Sequence, residues 1–184
     1  MIELALNILD IATNSVKAKA SLVEITVKAD VNEDKLTIII KDDGKGMSEE
    51  FVKNVTDPFT TTRTTRKVGL GVPLFKQSAE DAGGTFDIKS QLGVGTTVTA
   101  TYQISSVDRM PLGDLAGTMV TLIGSDPNIE YVLNYDLNGN EYVFDTREIK
   151  EVLDGVDITM PEIICYIKDM IDENLVNING GFSL

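Results

Sequence analysis

Three short glycine-centred segments, in a fixed order, constrain the fold of this chain more than any other feature. Gly-x-Gly alone is a weak signal, because glycine occurs wherever a turn needs a positive φ. Here, however, the segments supply a carboxylate and glycines that permit close backbone approach, and an asparagine on a predicted N-terminal helix supplies an amide oxygen. Together these residues predict a nucleotide pocket. They are Asp42-Asp43-Gly44-Lys45-Gly46-Met47, Lys67-Val68-Gly69-Leu70-Gly71 and Gly93-Val94-Gly95-Thr96-Thr97, and the asparagine is Asn14.

Length and composition indicate a globular protein with a core of its own. The chain has 184 residues, of which 42% are hydrophobic. It contains no apolar run long enough to span a membrane. Met1 begins directly on an amphipathic helix, without a basic and apolar leader, so a cytoplasmic protein is expected. The single cysteine, Cys165, lies in an apolar helical stretch and is predicted to be a small core residue.

The net charge of −13 is unevenly distributed. Residues 1–104 contain 14 acidic and 12 basic side chains, whereas residues 105–184 contain 15 acidic and 4 basic ones. The charge of −11 on the second segment argues against nucleic-acid binding. Because the chain has no histidine, its chemistry must rely on carboxylates, hydroxyls, lysine or a bound metal.

The spacing of apolar residues predicts an α+β fold. Helices are expected over residues 3–17, 71–82, 111–123 and 161–175, with two shorter helices, one capped by Ser48 and one beginning at the capping box Asp145-x-x-Glu148. Alternation predicts strands over 22–29, 35–41, 85–89, 96–103, 129–135 and 141–145, with a hairpin turn at Asn138-Gly139. The Thr-rich, basic stretch 56–68 has no apolar period and is predicted to be a mobile loop. We therefore predict a domain of residues 1–104 followed by an acidic α+β appendage, residues 105–184.

In this order the motifs resemble those of the histidine-kinase-like ATPase superfamily, which also includes gyrase, a heat-shock chaperone and the mismatch-repair ATPases. The resemblance covers about residues 1–104. It implies a Bergerat-type fold, a two-layer α/β sandwich with helices on a mixed sheet, and ATP held under a flexible lid. The matching segments are Leu6–Ser15 (N box), Asp42-x-Gly44-x-Gly46 (first glycine box), Asp57-Pro58-Phe59-Thr60-Thr61-Thr62 (F box), and Gly69-Leu70-Gly71 and Gly93-x-Gly95-Thr96-Thr97 (later glycine boxes).

The resemblance assigns a role to each candidate site residue. Asp42 accepts a hydrogen bond from the exocyclic amine of adenine, a donor that guanine lacks at that position. Asn14 binds Mg²⁺ through its amide oxygen, a ligand type that this ion prefers. The remaining ATP-binding residues are expected around the base (Gly44, Gly46 and Thr96), at the phosphates, where a helix begins (Gly69 and Gly71), and in the lid (Arg63, Arg66 and Lys67). Met47, Thr60, Thr61 and Leu70 belong to the same motifs and are expected to bind the nucleotide as well.

One candidate catalytic residue departs from the family pattern. Members that hydrolyse ATP place a glutamate four residues before the metal-binding asparagine, and here that position holds Asp10. Residues four apart share one face of a helix, so Asp10 and Asn14 are expected side by side. Aspartate is one methylene shorter than glutamate, and catalysis is sensitive to a misplacement of about 1 Å. The departure puts ATP turnover in question but leaves the prediction of ATP binding intact.

Three functions are compatible with these motifs. The first is a stand-alone ATP-dependent regulatory switch reset by slow hydrolysis. The second is a protein serine/threonine kinase of the anti-sigma type that acts on a partner, and the third is a non-hydrolysing ATP sensor. A self-sufficient sensor kinase is not expected, because the chain has no histidine and nothing before the N box.

The acidic appendage is expected to have a role outside the pocket, because the pocket motifs are complete by Thr97. It is predicted to contact a protein partner or a second copy of the chain, or else to cover one face of the same domain. The whole chain, including residues 108–114, also resembles small ATPases associated with anaerobic hydrogenase gene sets.

Overall fold

A computed structural model of the chain describes residues 2–57 and 70–184. In this part, helices alternate with pairs of strands. The helices are α1 (Leu4–Lys17), α2 (Glu49–Val55), α3 (Gly71–Asp81), α4 (Leu115–Ser125), α5 (Thr146–Leu153) and α6 (Pro161–Asn179). The strands are β1 (Leu22–Asp30), β2 (Lys35–Asp42), β3 (Phe86–Gln91), β4 (Gly95–Gln103), β5 (Glu130–Leu137) and β6 (Asn140–Asp145).

The strands form one mixed sheet in the order β3-β4-β2-β1-β5-β6. β1 and β5 run parallel, and the other neighbouring pairs are antiparallel. Alternate residues of a strand point to opposite faces, and in β1 one face carries Val23, Ile25 and Val27, all fully buried. The opposite face of that strand carries Glu24, Thr26 and Lys28, in the alternation that the sequence predicts.

The helices cover the apolar face of the sheet and make the second layer. α1 contacts α3 on one side and α4 on the other, and α4 in turn contacts α6. The buried stripe of α1 includes Leu4, Ile8 and Ile11, at the spacing of a helix face packed on a sheet. This arrangement confirms the predicted two-layer α/β sandwich.

The strands of residues 105–184 belong to the same sheet as those of residues 1–104. β5 pairs with β1 along its length, from Leu22 opposite Glu130 to Ala29 opposite Leu137. Tyr131, Leu133 and Tyr135 of β5 are buried in the same apolar cluster as β1 and α1. The predicted boundary at residue 104 stays a prediction, but the acidic segment extends the sheet to its β6 edge.

Two details of the sequence prediction were wrong. α4 starts at Leu115 rather than near Pro111, because Asp114 caps it by accepting a hydrogen bond from the Gly117 amide at 2.8 Å. The residues before it are tied elsewhere: the Leu4 amide donates to the Pro111 carbonyl. Cys165 is exposed, because the buried face of α6 is formed by its neighbours Ile167 and Ile171.

Candidate nucleotide-binding site

A cavity of about 350 Å³ opens between α1, α2, α3 and the sheet. Its wall is mostly apolar, with a few polar side chains at the ends of α1 and β2, which is the usual composition of a small-molecule site. Five of the predicted site residues line it together: Asn14, Asp42, Gly46, Met47 and Thr96. Residues that are about 80 positions apart in the sequence thus meet at one site, in the combination that the motifs predict.

Asp42 is the carboxylate of the cavity, and its orientation is fixed by two hydrogen bonds. The Ser15 hydroxyl donates to its Oδ2 at 2.5 Å, and the Gly44 amide donates to its Oδ1 at 2.9 Å. A carboxylate has about four acceptor positions, so both oxygens retain capacity for a further donor. The side chain is half-buried at the end of β2. It therefore presents a pre-oriented acceptor to the cavity.

Thr96 stands beside Asp42 on the neighbouring strand, where the two residues are paired in register. Its Oγ1 lies 2.8 Å from the Ser90 hydroxyl, which also accepts a hydrogen bond from the Met47 amide at 2.8 Å. These bonds connect the turn after β2 to β3 and β4. They hold the polar end of the cavity in one arrangement.

Asn14 lines the cavity from α1, one turn beyond Asp10. Within residues 2–57 and 70–184, no cluster of three or more carboxylate or thiol side chains is placed to hold a metal. The amide oxygen of Asn14 is a ligand type that suits Mg²⁺, which keeps several waters and binds through one or two protein oxygens together with phosphates. Asn14 would hold such an ion by its amide oxygen, and the ion would neutralise phosphate charge.

The glycines of the first motif are required by close contacts within the protein. Gly46 has φ +67°, and a Cβ there would lie 2.0 Å from the Gln91 carbonyl oxygen. A Cβ on Gly44 would lie 2.9 Å from the Ala18 Cβ. Both glycines therefore let the turn after β2 pack against α1 and the β3–β4 connection. Their predicted role in approaching the base stays a prediction.

Three other predicted residues, which do not line the cavity, lie where the start of α3 meets α1. Gly71 is buried against α1, and a Cβ there would lie 3.1 Å from the Cβ of Asp10. Asp10 itself is exposed, and so is Leu70, which has 61% of its surface accessible. The candidate catalytic carboxylate thus stands at the N-terminus of a helix, where unpaired N–H groups and the helix dipole favour an anion such as phosphate.

The remaining predicted site residues fall in the stretch 58–69 and lie outside the described residues: Thr60, Thr61, Arg63, Arg66, Lys67 and Gly69. Most of the predicted loop 56–68 lies there as well. Their assignment to the phosphates and the lid rests on the sequence alone.

The apolar wall and Ser15 were not singled out as site residues from the sequence. Ile40 and Val98 face the cavity from neighbouring strands, and Phe51 and Val55 face it from α2. The alternation of strand residues could have indicated Ile40 and Val98. Ile40 lies two positions before Asp42, and Val98 two positions after Thr96, so each shares a face of its strand with a predicted site residue. Ser15 directly follows Asn14, but nothing in the local pattern indicates that its hydroxyl reaches a residue 27 positions away.

Asp43, next to the site carboxylate, is tied to the start of β1. Partial burial acts to raise its pKa, but the hydroxyl and amide of Ser21 and the amide of Leu22 donate to it and bring the pKa below the ordinary value. Asp43 is therefore a structural anchor of the turn. It leaves Asp42 as the carboxylate that faces the cavity.

Residues 2–106 match the family model described as histidine kinase-, DNA gyrase B-, and HSP90-like ATPase. The match takes in more than half of the chain, and the chain belongs to this family of ATPases. It contains the N-terminal helix, the cavity and each of the glycine segments. Membership of this family implies that the chain binds ATP.

Among known proteins, the chain is similar to the sensor protein SrrB of Staphylococcus aureus, with 42% identity over 79 residues, which is 40% of this chain and 14% of that protein. In structure it is similar to the Aquifex aeolicus MutL ATPase domain complexed with ADP, with a TM-score of 0.55 and 15% identity, covering 84% of this chain and 70% of that one. A second similar structure is the N-terminal domain of a DNA repair protein, with a TM-score of 0.54 and 12% identity over 86% of this chain and 59% of that one. These structural matches establish the fold. None of the described helices has the length and apolarity needed to cross a bilayer.

Proposed function

We propose that the protein is an Mg-ATP-dependent regulatory switch that hydrolyses ATP slowly. The observation that carries the proposal is the half-buried carboxylate of Asp42, held by Ser15 and Gly44 at the polar end of an otherwise apolar cavity. An apolar cavity suits the faces of a purine, and a fixed acceptor at its end suits the purine's amine. The proposed association with anaerobic hydrogenase gene sets adds no mechanism to this account.

In this proposal Asn14 and Asp10 divide the work at the phosphate end. Asn14 lines the cavity and would hold Mg²⁺, whereas Asp10 is exposed beside Gly71 and would orient or deprotonate the attacking water. Aspartate's shorter reach is the reason that we propose slow turnover. The ATP-bound state would differ from the free state in its contacts to a partner, and hydrolysis would reset it.

The division between the two residues is tested by substitution. Asn14→Ala is expected to abolish most of the difference in ATP affinity between Mg²⁺ and EDTA, measured by calorimetry. Asn32→Ala, at an exposed turn residue between β1 and β2, is the matched control and should keep that difference. Equal Mg²⁺ dependence in both variants would contradict the proposed role of Asn14.

Asp10 is tested by phosphate release from γ-labelled ATP under single-turnover conditions. Asp10→Asn should bind ATP normally and lose whatever release the wild type has, since it cannot accept a proton. Asp10→Glu should raise the rate, because it restores the reach found in relatives that hydrolyse ATP. Equal rates for the wild type and both variants would show that Asp10 is not the base.

The same labelled nucleotide separates the switch from a kinase. Incubation in native cell extract should give free phosphate without a labelled protein if the protein is a switch that hydrolyses ATP. A labelled partner protein would favour a kinase that acts in trans, and neither product would favour a sensor.

A further inference from the structure

Among the described residues, β6 forms one edge of the sheet, at the opposite end from the strands that line the nucleotide cavity. β6 is the last strand in the sheet order and pairs on one side with β5. Its edge residues carry an exposed apolar side chain, Val143, which is 53% accessible. An edge strand presents unpaired backbone N–H and C=O groups to which another strand can add.

Hairpin geometry identifies the backbone groups that face outwards. The turn between β5 and β6 consists of Asn138 and Gly139, with φ values of +53° and +87°. A two-residue turn of this kind places a hydrogen-bonded pair at the flanking residues, Leu137 and Asn140. Since such pairs alternate with pairs that are not hydrogen-bonded, the N–H and C=O groups of Glu141 and Val143 point away from β5.

On the helix side, the edge is bordered by aromatic and acidic side chains. Tyr142 of β6 is half-buried, and Tyr166 of α6 lies close enough to contribute, after burial, to the raised pKa of Tyr142. Tyr166 is 66% accessible. Glu162 and Asp169, four residues before it and three after it, are exposed and lie on the same face of α6. An exposed ring flanked by two carboxylates suits a cationic side chain.

The four basic residues of the acidic segment are outnumbered by its 15 carboxylates, and each is held by an acceptor nearby, Arg147 at the end of β6 itself. Arg147 pairs with Asp145 at 2.8 Å, and Lys150 pairs with Glu130 at 2.8 Å. Lys168 pairs with Asp172 at 2.8 Å, and Arg109 donates to the carbonyls of residues 104 and 110. The charge of −11 on residues 105–184 therefore selects a positively charged partner and opposes the approach of a second copy.

We propose that β6 binds an extended, lysine- or arginine-rich segment of a partner protein as a seventh strand of the sheet. Main-chain hydrogen bonds to Glu141 and Val143 would fix its register. Alternate side chains of the segment would point to the two faces: apolar ones to Val143, and cationic ones to Tyr166 and its carboxylates. The opposite edge strand, β3, lacks this character, since Asp87 and Lys89 form an ion pair there at 3.7 Å.

The proposal is tested with a fluorescent peptide, acetyl-Lys-Val-Lys-Val-Lys-Val-Lys-amide, and the full chain in fluorescence anisotropy. We expect binding that weakens as NaCl is raised. Binding should fall about tenfold or more with a peptide N-methylated at its valines, because the methyl groups remove the main-chain donors. Hydrogen exchange of the Glu141 and Val143 amides should slow on peptide binding.

Three variants locate the site. Val143→Pro removes an outward N–H, and the double variant Glu162→Lys/Asp169→Lys reverses the flanking charge; each should weaken binding about tenfold. Asp87→Lys, a single charge reversal on the opposite edge strand, is the control for position and should leave binding unchanged. If Val143→Pro fails to fold, the double variant and the N-methylated peptide still test whether the peptide binds at β6. No binding by the wild type, equal binding of the methylated peptide, equal loss with Asp87→Lys, or a dimer of the wild type formed through this edge would overturn the proposal.

Discussion

Replacing Asp42 with asparagine exchanges one carboxylate oxygen for an amide nitrogen and tests the proposed role of Asp42 in selecting adenine. In the wild type, Oδ1 accepts from the Gly44 amide at 2.9 Å and Oδ2 from the Ser15 hydroxyl at 2.5 Å. Asparagine can keep the bond to Gly44 through its remaining oxygen. Its NH₂ group then stands in place of Oδ2 and presents donors where the adenine amine also needs an acceptor.

The expected loss follows from the kind of hydrogen bond removed. A hydrogen bond to a charged group contributes about 1.5–3 kcal/mol, which corresponds to an affinity loss of about ten- to a hundredfold. The measurement is calorimetric titration with Mg-ATP. Purine riboside triphosphate, which has no exocyclic amine, should bind the wild type more weakly than ATP and should bind Asp42→Asn about as well as ATP does.

Ser15→Ala is the control for orientation. It removes the donor to Oδ2 but keeps the carboxylate, so the variant should still prefer ATP to purine riboside triphosphate. A thermal melt of each variant establishes that it is folded. If folded Asp42→Asn keeps the wild-type preference for ATP, Asp42 does not read the amine, and the assignment of the cavity's polar end is wrong.

Three further predictions concern the buried core and one turn of the fold. Asn7 is buried, and its side-chain amide has no partner among the described residues. The near-isosteric Asn7→Leu should therefore raise the free energy of unfolding by about 1–3 kcal/mol and the Tm by several degrees. A lower Tm in a calorimetric scan would contradict this prediction. Gly46→Ala should lower the Tm because its Cβ would meet the Gln91 carbonyl, whereas Gly124→Ala, in open space within α4, should not lower it; equal effects would refute the contact argument. Burial raises the pKa of Tyr131 to about 12, so unfolding should become easier as the pH rises from 10, where the unfolded chain ionises, towards that value. In denaturant titrations, Tyr131→Phe should reduce the fall in the free energy of unfolding between pH 10 and 12. An unchanged dependence on pH would contradict this prediction.

The fold was predictable where the pattern of residues is local. α1 and β1 follow from strict helical and alternating spacing, and the Asn138-Gly139 turn follows from two residues that tolerate positive φ. The start of α4 was not predictable from apolar spacing alone, because the segment before it is held by long-range backbone bonds such as Leu4 to Pro111. Cys165 was misjudged because an apolar helix can have a second, exposed side.

The site was predictable in its polar residues and not in its wall. Asn14, Asp42 and Thr96 were predicted because they stand in motifs that resemble those of the ATPase superfamily, and all three line the cavity. Ile40 and Val98 are ordinary strand residues, and only the pairing of β2 with β4 brings them to one cavity. The bond from Ser15 to Asp42 depends on how α1 lies across the sheet, which no local pattern specifies.

The most direct test of the account is a crystal structure of the protein with Mg²⁺ and a non-hydrolysable ATP analogue. We predict adenine in the cavity of about 350 Å³, with its amine within hydrogen-bonding distance of an Asp42 oxygen and Asn14 oriented towards the metal. The triphosphate should extend towards the N-terminus of α3, near Gly71. An analogue bound elsewhere, or in the cavity with its amine turned away from Asp42, would contradict the account.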